Sequence, residues 1–147
     1  MRERDQQLSQ ESQIRFDRAK EATGIIIKVP ERVPELRGKI KRVIVFGSTV
    51  TDKATPISDI DMCVTFAELT NHEILFYSGD IKQALKNEGG FVTGVHVPMG
   101  LDMTFIPDEN LSLPEGLPEI ERKLYADINE QGIVLYPLAE PIAVVQQ

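Results

Sequence analysis

Apolar and polar positions alternate most sharply over residues 59–66. Ile60, Met62, Val64 and Phe66 fall on one side, and Asp59, Asp61, Cys63 and Thr65 on the other. That period of two predicts a strand with one face in a core. Just upstream, residues 43–46 (Val-Ile-Val-Phe) form a continuous β-branched and apolar run that suits a buried strand. Gly47-Ser48 interrupts it, and the turn-rich residues 51–58 carry the chain back. A third strand is predicted over residues 101–106, with Leu101, Met103 and Phe105 facing one way and Asp102 and Thr104 the other. Residues 132–136 read as a fourth. Residues 91–97 suit another strand broken at Gly94, and residues 98–100 a turn.

Helical spacing separates these runs. Residues 5–22 carry a thin apolar stripe (Leu8, Phe16, Ala19, Ala22), with Gly24 as its expected stop. Ile25-Ile26-Ile27 then suggests an edge strand, and residues 31–38 a short helix between Pro30, Pro34 and the first strong strand. Thr70 or Asn71 is a fair N-cap for a helix reaching about residue 87, striped by Ile74, Tyr77, Ile81 and Leu85 and closed by Gly89-Gly90. Residues 107–118 form a proline- and acid-rich loop. Pro118 opens a last helix striped by Ile120, Leu124 and Ile128 and ended by Gly132. Strands and helices so ordered predict an α/β (α+β) domain, a small mixed sheet flanked by helices.

Composition narrows the setting. The 147 residues fit one domain, with 41% hydrophobic and 27% charged residues. No run approaches the roughly 18 apolar residues of a membrane span, so no membrane partner is expected. The N-terminus is too polar for a secretory signal. The one cysteine, Cys63, sits inside a strand and cannot pair within the chain, so a reducing cytoplasm is the expected location. Residues 1–42 hold eleven Lys/Arg against seven Asp/Glu, whereas residues 43–147 hold five against sixteen. An acidic second part argues against a non-specific grip on DNA or RNA, which rests on neutralised phosphates. The basic N-terminal part is either a solvated helix face or a docking surface for an acidic partner.

The acidic pair is the main chemical signal. Asp59 and Asp61 project from one strand face about 7 Å apart, where like charges repel unless a cation sits between them. Oxygen-ligated divalent ions fill that role. Gly47-Ser48, separated by nine residues from Ser58-Asp59-Ile60-Asp61, adds a glycine that lets backbone approach a ligand and a hydroxyl beside free N–H groups. Asp102 is an acid in an otherwise apolar strand. It would complete a trio of carboxylates if its strand lies beside the first pair's, and it would otherwise be a salt-bridge partner or an exposed strand end, with Asp108 or Glu109 as the fallback.

Gly47-Ser48 with Ser58-Asp59-Ile60-Asp61 resembles the signature of the DNA polymerase beta-like nucleotidyltransferase superfamily. The lean layout is similar to its minimal nucleotidyltransferase branch. The resemblance covers about residues 36–136 and implies a nucleotidyltransferase fold over residues 36–140, preceded by an N-terminal helical extension over residues 1–35. It implies Asp59, Asp61 and Asp102 as catalytic and metal-ligating residues for Mg²⁺, with two ions. It also implies Gly47, Ser48, Ser58 and Lys53 as the binding residues for ATP or another nucleoside triphosphate. The implied reaction moves a nucleoside monophosphate, AMP from ATP, onto an unidentified hydroxyl of a protein or small molecule and releases pyrophosphate. Small chains of this kind also resemble antitoxins whose partners are helical HEPN-type toxins, and a degenerate nucleotide-binding module is the remaining alternative.

Two departures from the family pattern bear on nucleotide binding. Asp52 stands where glycine is common, and Lys53 is the only cation between Gly-Ser and Ser-Asp. His72 and His96 lack metal-ligand spacing and read as surface or core residues. Cys63 reads as a small packing residue and Tyr77 as part of its helix's apolar stripe.

Overall fold

Two adjacent apolar runs of the chain become the centre of a four-stranded sheet. In the computed structural model, which describes residues 8–138, β1 (Ile40–Phe46) and β2 (Ile60–Phe66) pair antiparallel. β3 (Leu101–Pro107) joins β2 in parallel and β4 (Ile133–Tyr136) joins β1 antiparallel, giving the order β3-β2-β1-β4. Every residue of β2 except Asp61 is buried, as expected of a strand with neighbours on both edges and helices on both faces.

The parallel β2–β3 pair requires a crossover, and α3 (Asn71–Gly89) supplies it. Its start is fixed by a capping box: the Thr70 hydroxyl accepts from the Glu73 N–H, and the Glu73 carboxylate accepts from the Thr70 N–H. Gly90 closes it in the left-handed region at φ 66°. Ile74, Ile81 and Leu85 are buried and Tyr77 is half-buried against them.

One sheet face, carrying Val43, Val45, Ile60, Met62, Val64 and Leu101, packs against α3 and α1 (Gln10–Ile26). The opposite face carries Ile44, Phe46, Cys63 and Ile106 and packs against Leu111, Tyr125 and Ile128. The last two belong to α4 (Glu119–Gln131), and Leu111 to a 3₁₀ turn, Asp108–Ser112, inside the acid-rich loop. The fold is therefore of the expected α+β class, a small mixed sheet flanked by helices with a further helix ahead of it. That leading helix is no appendage, because Phe16, Ala19, Ala22 and Ile26 lie in the same core as the sheet. Among the described residues, no helix is long and apolar enough to cross a membrane.

Several local expectations yield to packing. Gly24 does not stop α1, which begins after its N-cap Ser9 and runs through to Ile26; residues 5–7 of the expected helix lie outside the described residues. An interior glycine costs about 1 kcal/mol relative to alanine, whereas burying Ile26 completely is worth about 1.5–3 kcal/mol. Packing wins, and Ile25-Ile26-Ile27 forms the helix end rather than a strand. Residues 31–38 are not one helix. Two 3₁₀ turns, Val29–Glu31 and Pro34–Leu36, each place a proline in the first turn, where its missing N–H is tolerated. Residues 91–97 form no strand and keep one parallel bridge, Thr93 to Leu101. In α4 the buried residues are Tyr125 and Ile128, while Ile120 is 83% exposed and off the packed face.

Candidate active site

The turn after β1 brings backbone unusually close to a carboxylate. Gly47 sits at φ 76°, and a Cβ built on it would lie 2.2 Å from Asp61 Oδ2. Only glycine satisfies both the left-handed backbone and the contact. The chain then enters a single helical turn, α2 (Ser48–Thr51), whose Val50 and Thr51 N–H groups donate to the Gly47 carbonyl. Thr49 is fully buried, and its hydroxyl has no hydrogen-bond partner among the described residues.

Asp52 caps this turn in the left-handed region at φ 64°. Its Oδ1 accepts from the Ser9 N–H at 2.6 Å, which commits that carboxylate oxygen to the start of α1. Lys53 follows, exposed, and forms no ion pair among the described residues; its N–H donates to the Ser48 carbonyl. Ser58 is a junction. Its hydroxyl accepts from the Thr55 N–H at 2.9 Å and closes the turn, while its carbonyl accepts from Arg15 Nε at 3.1 Å and the Met99 N–H at 3.0 Å.

Strand pairing brings the three acids together. Asp61 and Asp102 are register partners across the parallel β2–β3 pair, and Asp59 precedes β2 on the same face as Asp61. One oxygen of each carboxylate lies within 4.8 Å of the others. Asp59 Oδ2 accepts from the His96 N–H at 2.9 Å. Burial above all, then the charges of Asp59 and Asp102, pushes the Asp61 carboxyl from 3.8 up to about 7. Asp102 is also raised, by burial first and then by Asp59, although its hydrogen bond with Asp61 and the nearby His96 pull the other way.

Three hard oxygen donors that repel one another could hold a divalent cation. The donor set contains neither sulfur nor imidazole, which favours magnesium or manganese over softer metals.

His96 is a residue whose place the sequence did not disclose. It is exposed, as expected of a surface histidine, yet its backbone braces Asp59 and it holds φ 62°. Local spacing carries no signal for this, because the loop is placed by its bond to a residue 37 positions away. Arg15 was equally hidden in a weak helical stripe. His72 is exposed at the start of α3. Cys63 is fully buried, and burial lifts its thiol to about 12, which leaves it an inert packing group. Asp108 stands at the far end of β3, where its Oδ1 accepts from Arg42 Nε at 2.8 Å and the Thr65 hydroxyl at 2.6 Å.

Comparison with known proteins places this geometry in a family. A family model described as a nucleotidyltransferase domain matches residues 26–103. No curated protein matches the chain. Among solved structures, a candidate nucleotidyltransferase from Sulfolobus solfataricus shares 10% identity over 88% of this chain and 89% of its own, with a TM-score of 0.49. A toxin–antitoxin structure with AMP-PNP shares 19% over 75% and 73%, with a TM-score of 0.40. Likeness at that distance carries no functional weight. The matched segment spans more than half of the chain and contains the Gly47-Ser48 turn and all three aspartates, so the chain belongs to the nucleotidyltransferase domain family.

Proposed function

We propose that the protein transfers AMP from ATP to a hydroxyl group of a protein or small molecule, with Mg²⁺ held by Asp59, Asp61 and Asp102. The observation that carries this reading is the meeting of three carboxylate oxygens within 4.8 Å, beside a glycine turn that has no room for a side chain. Bound there, two Mg²⁺ ions would supply charge neutralisation for the triphosphate and the departing pyrophosphate, and would lower the pKa of the attacking hydroxyl.

The chain's own residues supply orientation. Backbone N–H groups at the start of α2 lack partners within the helix, and with the Ser48 hydroxyl they receive phosphate oxygens. Gly47 keeps the turn low enough for that approach. Lys53 adds a positive charge on the exposed side of the same loop, and Ser58 closes that loop just before Asp59. The hydroxyl oxygen of the acceptor bonds to the α-phosphorus as the bond from that phosphorus to the β-bridging oxygen breaks. Pyrophosphate takes the electron pair, and a carboxylate oxygen of Asp102 takes the hydroxyl proton. Positioning and charge neutralisation dominate such chemistry.

The test uses the full chain with α-labelled ATP, Mg²⁺ and host lysate. Label should move to one acceptor, pyrophosphate should appear, and both should vanish in Asp59→Asn/Asp61→Asn. A labelled protein would point to a partner as substrate, and a labelled small molecule to a metabolite. Absence of both label and pyrophosphate at every metal concentration would sink the proposal.

A further inference from the structure

From the contacts of α1, we infer that Arg15 is a positioning residue for the carboxylate cluster and that α1 is the strap holding the nucleotide loop in shape; this rests on the function proposed above. Ser9, Ser12 and Arg15 recur every three residues and so lie along one side of the helix. Each reaches a different part of the loop between β1 and β2. The Ser9 N–H donates to Asp52 at the end of α2, the Ser12 hydroxyl to the Ser48 carbonyl at its start (3.4 Å), and Arg15 Nε to the Ser58 carbonyl just before Asp59.

Arg15 is the strongest of the three. It is 1% exposed, and a buried guanidinium is costly unless its donors are used. Three of the five N–H groups have partners here: Nη1 donates to the Glu11 carbonyl at 3.0 Å and to Glu11 Oε1 at 2.7 Å, which ties the fork to its own helix while Nε holds Ser58. The Ser58 carbonyl also takes the Met99 N–H, and the loop carrying Met99 braces Asp59 through His96. One carbonyl thus ties α1 to the start of β2 and to the segment that leads into β3 and Asp102. Losing the guanidinium leaves the Ser58 carbonyl held by the Met99 N–H alone and loosens the start of β2, on which Asp59 sits, from α1. Residues that orient ligands from behind are worth 10–100-fold in metal affinity. Lysine keeps the charge but offers no fixed fork.

The experiment titrates the full chain with Mn²⁺ alone, by calorimetry or electron paramagnetic resonance, beside thermal melts and the labelled-ATP assay. Arg15→Met should weaken Mn²⁺ binding about tenfold, Arg15→Lys should recover part of it, and Glu11→Gln should show a smaller loss in the same direction. Raised Mn²⁺ should restore part of the transfer rate. Unchanged Mn²⁺ affinity in folded Arg15 variants, even with a lowered melting temperature, makes Arg15 merely structural and overturns the inference. Glu11 is partly exposed, so if both Arg15 variants fail to fold, unchanged affinity in Glu11→Gln overturns it instead. A wild-type chain that neither binds Mn²⁺ nor transfers label refutes the nucleotidyl-transfer proposal itself, which is a different outcome.

Discussion

Asp61 and Asp102 stand opposite each other across the parallel β2–β3 pair and share a side-chain hydrogen bond, with Asp61 pushed up to about 7. Without a cation, the folded protein therefore keeps a proton that the unfolded chain, at its ordinary value of 3.8, has lost. Between those values the native state binds more protons, so this group's contribution to stability is full below 3.8 and is lost as pH rises through about 7. The melting temperature of metal-free wild type should fall relative to Asp61→Asn as pH goes from 5 to 8, a window that follows from the same shift. Added Mg²⁺ should reverse the loss at the upper end and do little at the lower. Melts of the two proteins with and without chelator check it; a difference that stays flat or grows with pH would count against it.

Gly47 is the position where a single methyl group should do most damage. A Cβ there meets Asp61 Oδ2 at 2.2 Å, and φ is 76°. Gly47→Ala should cost about 1–3 kcal/mol in urea denaturation and displace the Asp61 carboxylate. Transfer should fall much further than the stability loss explains, with weakened Mn²⁺ binding as the accompanying sign. Wild-type turnover in Gly47→Ala would show that Asp61 can move without consequence.

Asp102 and Asp108 lie on and just beyond the same strand but at opposite ends, and they should separate cleanly. Asp102→Asn should lower the transfer rate by about 10²–10⁴-fold, the usual worth of a positioned proton acceptor, with little change in ATP binding. Asp108 is bonded to Arg42 and Thr65. Asp108→Ala should cost about 1–3 kcal/mol by stranding the fully buried Thr65 hydroxyl, and leave transfer by the folded protein unchanged. Steady-state kinetics beside denaturation curves decides it; equal kinetic defects would overturn the assignment.

Thr49 offers a stabilising change. Its hydroxyl is buried without a partner among the described residues, and such a group costs about 1–3 kcal/mol. Thr49→Val keeps the shape and removes the unmet polar atom, so the urea midpoint should rise. A lowered midpoint would mean that the hydroxyl is used.

Features that repeat along the chain were legible from the residues alone. The period of two placed Asp59 and Asp61 on one face, and the Asp102 strand stood out because an acid interrupts an apolar run. A cap at Thr70 or Asn71 and the striped helix after it needed no tertiary knowledge either; the capping box settles on Thr70. Where local signals were weak, they misled. Gly24 looked like a helix stop and residues 91–97 like a strand, because both rules assume exposed or independently paired backbone. The core instead rewarded an extra helical turn that buries Ile26, and pairing outside β3 was limited to one bridge at Thr93.

By itself, the order of residues determined the four strands of the sheet, the glycine-serine turn and the face from which the acids project. These depend on bond geometry and on neighbours one to four positions away. Only the folded chain decided that Asp102 lies across from Asp61, that Asp52 is engaged by Ser9, and that Arg15 reaches Ser58. The last two bonds each span 43 positions. Contacts at that separation are set by how helices and sheet share one core, which no short window of sequence contains.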